Sequence, residues 1–395
     1  MTGATLLLVL GLIAPGDALA TLLRDWNTFL FFLGMMSIAA LAEVAGLFDW
    51  LAAQAARLAH QRSSLLFLNV FLLGTLISMI FSNDATALIL TPVVYVLVTK
   101  LRLPALPFLF ACTFIADTAS FLLPISNPIN IIILSRFPLD LFTFLKLLFL
   151  PSLVVIAINI AVFFLIYRQQ LKGQFDLKRL PLPDQTIKHQ EYFRYTCVVL
   201  VCVAGAYVVA SALQFHLSLV AITGAILLLF GAIYWRRTTL RETGRRISWS
   251  IFGFIAGMII LVRAIEDTGI TALFGHWLLQ LSSNTGFGAA MVGTIGSAVG
   301  TNLINNVPMA VLMTSAMDTL QNASIPVRHG FVAGTIFGCD LGPNLTIVGS
   351  LATVLWLLIL RRRGVDVSGL DYFKVGIIVT PIMLLAGALT IWLLL

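Results

Sequence analysis

The chain has 395 residues, of which 59% are hydrophobic and 10% charged, with a formal net charge of +7 and a mean hydropathy of +1.01. So few charges cannot coat a water-soluble surface of this size, which excludes a soluble protein and leaves an all-α polytopic membrane protein. The basic residues gather in loops, so they report orientation in the membrane and not nucleic-acid binding.

From the N-terminus, Met1–Gly16 lacks the basic segment of a signal peptide and reads as a short first span. Hydrophobic runs predict spans near residues 3–14, 27–47, 64–82, 85–99, 105–134, 148–167, 196–213, 217–235, 247–265, 286–302, 307–320, 331–360 and 373–394. Two of them, 105–134 and 331–360, carry polar centres and read as broken helices. In the second, Gly342-Pro343 ends a helix, because proline donates no N–H and clashes with the preceding turn. The nine residues from Phe331 to Cys339 reach about half-way across a bilayer at roughly 1.5 Å each. Non-helical backbone at that depth survives only inside protein or beside a water-filled cavity. The four cysteines, Cys112, Cys197, Cys202 and Cys339, lie in apolar runs without metal-ligand spacing. They read as small buried hydrophobes. Neither a disulfide framework, a metal site nor a cofactor is expected.

Orientation follows from the positive charges. The segment Arg168–Arg194 carries six Lys/Arg against three acids, Arg236–Arg246 carries five against one, and Arg361-Arg362-Arg363 follows the second broken helix. All three are cytoplasmic only if 64–99 and 286–320 are re-entrant hairpins entering from opposite sides. That path leaves 19 of the 24 basic residues inside. An internal repeat agrees with it. Glu43-Val-Ala-Gly46 resembles Glu266-Asp-Thr-Gly269 at an offset of 223, Ile115-Ala-Asp117 resembles Gly338-Cys-Asp340 at 223, and Ser82-Asn83-Asp84 resembles Ile304-Asn305-Asn306 at 222. The expected domains are a first inverted repeat over 1–167 (hairpin 64–99, broken helix 105–134), a cytoplasmic linker over 168–194, and a second inverted repeat over 195–395 (hairpin 286–320, broken helix 331–360). The first repeat lacks one N-terminal helix that the second has. Such a pair of repeats points to a secondary transporter with its site near the midplane.

Four polar nodes should then converge. The substrate-binding residues expected there are Asn83 and Thr86 at the first tip, Ser126 and Asn127 at the first break, Asn305 and Asn306 at the second tip, and Asn344, Thr346 and Ser350 at the second break. Amides and hydroxyls both donate and accept, which suits a small neutral polyol-like solute or a partly dehydrated cation. No arginine stands in any node, so a bidentate clamp for carboxylate or phosphate is absent; half-helix N-termini could still attract an anion, so anions are disfavoured and not excluded. Asp84, Asp117 and Asp340 are the carboxylates of these nodes. Each can carry a proton, since low dielectric favours the neutral form of a carboxyl. Hydrogen-bonded pinning of a loop is the alternative role. Asp84, at a tip that meets water on one side, is expected to be the principal proton carrier. Glu43 and Glu266 sit near helix ends and read as solvated or interfacial.

Asn83-Asp84 with Ala87-Leu-Ile-Leu-Thr-Pro92, Phe114-Ile-Ala-Asp-Thr-Ala-Ser120, Ser126-Asn127, Asn305-Asn306-Val-Pro308, and Gly338-Cys-Asp-Leu-Gly-Pro343 with Gly349-Ser-Leu-Ala-Thr353 resemble the arsenical pump membrane protein family of the ion transporter superfamily. The likeness runs from about Asp25 to the C-terminus. It implies a cell inner membrane protein that exports arsenite or antimonite, as the neutral trihydroxide, in exchange for protons. It also implies optional association with a soluble arsenite-stimulated ATPase, and a scaffold domain beside a transport domain. The family usually has lysine where Asn344 stands, and an extra N-terminal helix. The competing expectations are a cation-coupled dicarboxylate or anion carrier, or a sodium/proton antiporter, of the same superfamily. An intramembrane aspartyl protease would want Gly-x-Gly-Asp, and Gly338-Cys-Asp340 lacks the second glycine. Beyond the transported solute, protons and that ATPase, the only partner expected is membrane lipid, with no nucleic acid.

Overall fold

Apolar runs become helices here, and glycine, proline or a capping side chain punctuates them. The computed structural model describes residues 5–7, 10, 13–213, 215–320 and 322–395. The first half runs α1 (Pro15–Arg24), α2 (Trp26–Ala45), α3 (Leu47–Leu58) and α4 (Ser63–Phe81). A tip at Ser82 leads into the turn Asn83–Ala85, a π-helical segment Thr86–Leu90 and α5 (Thr91–Lys100). Then come α6 (Ala105–Thr118), a break containing the 3₁₀ turn Pro124–Ser126, α7 (Pro128–Arg136) and α8 (Leu141–Tyr167). After the linker, α9 (Gln190–Ala212) and α10 (Leu217–Tyr234) precede a short helix, Leu240–Arg246. The second half continues with α11 (Trp249–Asp267), α12 (Ile270–Leu281), α13 (Gly286–Ile304), α14 (Asn306–Met317) and α15 (Ile325–Leu341). Two 3₁₀ turns, Gly342–Asn344 and Ile347–Gly349, fill its break before α16 (Leu351–Arg362) and α17 (Gly369–Leu394).

Among the described residues eight helices are long and apolar enough to cross a membrane: α2, α4, α8, α9, α10, α11, α13 and α17. The remaining expected spans are the shorter segments α5, α6/α7, α14 and α15/α16. The span expected at 3–14 lies largely outside the described residues. Two helices, α3 and α12, were not expected: Asp49, Gln54 and Arg57 interrupt the apolar run of α3, and α12, at 12 residues, is too short to read as a span. As expected, α15 ends at Leu341, immediately before Gly342-Pro343. The linker is not wholly solvated, since Leu171 and Phe175 are buried and Arg62 bridges to Gln174.

The element order repeats with an offset of 223. Trp26 and Trp249 open counterpart helices, α3 and α12 match end to end, as do α4 and α13, and the 3₁₀ turns Pro124–Ser126 and Ile347–Gly349 coincide. Backbone geometry repeats too. Gly46 (φ 83°) and Gly269 (φ 76°) are left-handed caps, which glycine adopts without penalty. Ser82 (φ 106°) and Asn305 (φ 78°) hold the two tips. This sets the tip register at 223, not the 222 expected from the sequence: Ser82 matches Asn305, Asn83 matches Asn306, and Asp84 matches Val307.

The two halves solve close packing in complementary ways. Gly330, Gly334, Gly338 and Gly342 line the face of α15 against α13, where an added methyl would overlap the backbone or side chains of Gly286, Ala290, Thr294 and Ala298. Small residues let transmembrane backbones approach in this way. At the matching contact of the first half the glycine is on the other helix: Gly74 of α4 makes room for Ile115 of α6. Around the breaks, Phe110, Phe114, Phe163, Trp356 and Tyr372 form one aromatic cluster joining α6, α8, α16 and α17. The Trp356 indole donates to the Leu109 carbonyl at 3.0 Å.

Gly338→Ala is therefore expected to cost about 1–3 kcal/mol by overpacking, read as a lower melting temperature of the detergent-purified protein. Gly205→Ala, on open surface, should leave the melting temperature unchanged or slightly raised.

Candidate functional site

All four polar nodes meet at one small cavity. Its polar lining is Asn83 and Asp84 from the first tip, Asn127 from the first break, Asn306 from the second tip and Ser350 from the second break. Phe32 of α2 and Ile251 and Phe254 of α11 close an apolar side. At about 20 Å³ it has room for about one water. No lysine or arginine is among its lining residues.

Local capping explains why these side chains point inward. At the start of α7 the Asn127 side-chain oxygen accepts from the Ile129 amide at 3.1 Å. Its matching residue, Ser350, accepts from the Ala352 amide at 3.2 Å and starts α16 in the same way. Capping uses the oxygen of Asn127 and frees its Nδ2, which donates to Asp340 Oδ1 at 2.6 Å. Asp117 accepts from Asn83 Nδ2 and from Thr353 Oγ1, both at 3.3 Å. Each break's aspartate is thus held by the other half of the chain: Asp117 by Thr353, Asp340 by Asn127. Both aspartates are buried. Asp84 is half-buried, faces the cavity, and its carboxylate makes no hydrogen bond or ion pair among the described residues.

The remaining expected residues stand behind the cavity. Thr86 shares a hydrogen bond with Ser78 at 2.8 Å and donates to the Ser82 carbonyl at 3.3 Å, pinning the first tip. Ser126 donates to the Met79 carbonyl and accepts from the Leu123 amide, each at 3.1 Å. Asn344 and Asn159 both donate to the Thr118 hydroxyl, at 3.0 and 2.8 Å, and Thr118 donates to the Phe114 carbonyl at 2.7 Å. Thr346 donates to Asn302 Oδ1 at 2.6 Å, and Asn302 and Asn305 donate to the Gly342 and Val348 carbonyls, each at 2.9 Å. Each tip is thereby tied to the break of its own half.

Sequence reasoning did not single out Thr353, Thr118 or Asn159. Asn159 carries the clearest signal in retrospect, as a lone amide inside the apolar run 148–167. Cys112 and Cys339 are buried as expected, whereas Cys197 is half-buried and Cys202 exposed. Glu43 is half-exposed and pairs with Arg246 at 3.1 Å. Glu266 is not solvated: it is mostly buried and pairs with Arg136 and Arg263, both at 3.1 Å, near the end of α11.

Spans of this length, two broken helices and a polar cavity between them fit a multi-pass membrane transporter, and the chain's relatives support the ion transporter superfamily. The fold is similar to that of the Alcanivorax borkumensis YdaH transporter (TM-score 0.65, 12% identity, 95% of this chain and 86% of that one). It also resembles Neisseria gonorrhoeae MtrF (TM-score 0.53, 13% identity, 95% and 84%). The chain belongs to the arsenical pump membrane protein family: it is 32% identical over 382 residues to the arsenical pump membrane protein of Escherichia coli strain K12, covering 96% of this chain and 89% of the relative. A family model described as a citrate transporter matches residues 1–333.

Removing a donor from a buried carboxylate costs about 1–3 kcal/mol or more. Asn127→Ala takes the bond at 2.6 Å from Asp340 and should lower the melting temperature clearly. Thr353→Val leaves Asp117 its bond from Asn83, so its effect in the same assay should be smaller.

Proposed function

We propose that this chain exports arsenite or antimonite from the cytoplasm as the neutral trihydroxide, in exchange for protons, across the cell inner membrane. The observation that carries the reading is the lining of the four-node cavity: amides, a hydroxyl and one unpaired carboxylate, with no basic side chain. A trihydroxide both donates and accepts hydrogen bonds, which amides and hydroxyls match. Binding an anion there would require desolvating it without a guanidinium or ammonium partner. Relatives named as arsenical pump membrane proteins support the same substrate. The citrate transporter family match favours a second reading, a cation-coupled carboxylate carrier, which the cavity's lack of basic residues opposes.

The proposed architecture is two inverted repeats, 1–167 and 195–395, joined by a cytoplasmic linker, with re-entrant hairpins at 64–99 and 286–320. Two contacts support the inversion. Glu43 near the end of α2 pairs with Arg246, just before α11 begins. Thr28, near the start of α2, lines one cavity with Glu266, near the end of α11. The counterpart helices α2 and α11 thus run in opposite directions. Asn83, Asp84, Asn127, Asn306 and Ser350 contact the solute. Thr86, Ser126, Asn305, Asn344 and Thr346 hold the tips and breaks that present them. Asp84 carries the exchanged proton, and Asp117 and Asp340 brace the site.

Everted vesicles with an imposed proton gradient test the substrate. Uptake of arsenite and antimonite, with none of succinate or sodium, is expected; succinate uptake without arsenite uptake would sink the proposal. Asp84→Asn mimics the protonated carboxyl. It should abolish proton-driven accumulation, at least tenfold below wild type, yet permit arsenite counterflow between equal pools. Accumulation with the wild-type pH dependence would move the carrier to Asp117 or Asp340. Cys339 lies beside Asp340 but offers a single buried thiol, too few ligands for a soft multidentate arsenic site. Cys339→Ser should therefore leave resistance within about twofold of wild type in a growth assay, well under the tenfold that about 1.4 kcal/mol produces.

A further inference from the structure

The four-node cavity has two unlike sides. Every polar residue of its lining comes from a tip or a break: Asn83, Asp84, Asn127, Asn306 and Ser350. Its apolar side is built by the unbroken helices, from Phe32 of α2 with Ile251 and Phe254 of α11. Ile129, Val307 and Leu351 complete the lining and are apolar too. They lie in the first turns that follow Asn127, Asn306 and Ser350.

The two sides differ in what they can still bond. The Asp84 carboxylate and the Asn306 amide make no hydrogen bond or ion pair among the described residues. One accepts hydrogen bonds and the other both donates and accepts. The apolar wall has nothing comparable. Phe32, Ile251 and Phe254 lie inside regular helices, whose N–H and C=O groups are used in their own ladders. The wall is also held in place. Phe32 and Ile251 are each 3% exposed, and Phe32 packs edge-on against Phe252 of α11, with ring centroids 6.5 Å apart. A hydroxyl pressed against this wall would lose its water and gain no partner.

The shape of the solute decides whether that happens. The trihydroxides of arsenic and antimony are pyramidal. Their hydroxyls lie on one side of the central atom, and a non-bonding electron pair occupies the other. Such a solute can point its hydroxyls at the tips and breaks and its bare face at the wall. Silicic and germanic acids are also neutral near neutral pH and also present only hydroxyls, but as tetrahedral tetrahydroxides. In every orientation at least one of their hydroxyls meets the wall. At about 20 Å³ the cavity must widen for either class, and the two classes are of similar size, so volume does not separate them.

We propose that Phe32, Ile251 and Phe254 are specificity-determining residues: their wall accepts the bare face of a pyramidal trihydroxide and rejects tetrahedral tetrahydroxides such as silicic and germanic acid. This rests on the substrate reading above and narrows it. An apolar wall that meets one surplus hydroxyl discriminates by about a hundredfold at most, so the rejection is partial and measurable.

Everted vesicles supplied with each acid separately test this. The wild-type protein should take up arsenite and antimonite about tenfold or more faster than germanic or silicic acid at equal concentration. An isosteric pair then isolates the missing hydrogen bond. Ile251→Thr should raise the germanic-to-arsenite uptake ratio about fivefold or more over Ile251→Val. Phe254→Ser against Phe254→Ala repeats the comparison should the first pair not reach the membrane. Germanic acid taken up as fast as arsenite by the wild-type protein would overturn the wall's role and leave the substrate reading standing. A ratio that moves equally in both members of a pair would do the same, since that effect would be one of room. Uptake of succinate in place of both trihydroxides would reject the substrate reading, and the wall's role with it.

Discussion

Two carboxylates sit in interrupted helices inside a membrane protein, and the centre of the molecule is arranged around satisfying them. A break frees backbone N–H and C=O groups that lipid cannot hydrate. An unpartnered buried carboxylate adds a larger cost. The breaks' backbone is met within each half, by Asn130 in the first and by Asn302 and Asn305 in the second, whereas the carboxylates of Asp117 and Asp340 also draw donors from the opposite half, Thr353 and Asn127. The same Asn127 caps α7. One side chain thus starts a helix and holds an aspartate more than two hundred residues away. Both halves line the cavity, which lies where they meet.

The features legible in the sequence were those that oppose a lipid environment. Asp117, Asp340, Gly342-Pro343 and the asparagines of the tips are conspicuous because everything around them is apolar, and charged residues within membrane segments default to functional readings. The interruption of both helices, the helix end at Leu341 and the convergence of the four nodes followed from them. Less legible were residues whose role depends on a partner distant in sequence. Thr353 looks like an ordinary helical threonine until Asp117 is opposite it. Five of the expected substrate-binding residues bond instead to backbone or to neighbouring amides behind the cavity, because a polar group near a break meets the break's own backbone first. The tip register was misread by one residue. Asparagine matches asparagine at either offset, and only the positive φ shared by Ser82 and Asn305 distinguishes them.

Within a frame that repeats so closely, the differences carry the information. Asp117 has its match in Asp340, Asn83 in Asn306, and Asn127 in the capping Ser350. Asp84 has none: its counterpart is Val307, which lines the same cavity. Structural requirements common to both halves account for the paired residues. They do not account for an unpaired carboxylate at one tip and an apolar side chain at the other. That asymmetry is the ground on which Asp84 is proposed as the proton carrier, since the second tip forms with Val307 at the matching place.

A single ionisable group at the edge of a small cavity also bears on what the cavity can exchange. With Asp117 and Asp340 engaged by donors from the opposite half, a change of charge at Asp84 would alter the cavity without dismantling its braces. On the proposed reading a neutral solute would hydrogen-bond the ionised Asp84 carboxylate and a proton would displace it, so the two would compete for one group. An anion would leave a net negative charge in low dielectric in either protonation state, and no lysine or arginine in the lining offsets it. On the proposed reading, the same absence of basic residues that disfavours carboxylate cargo lets one aspartate serve as the whole coupling device.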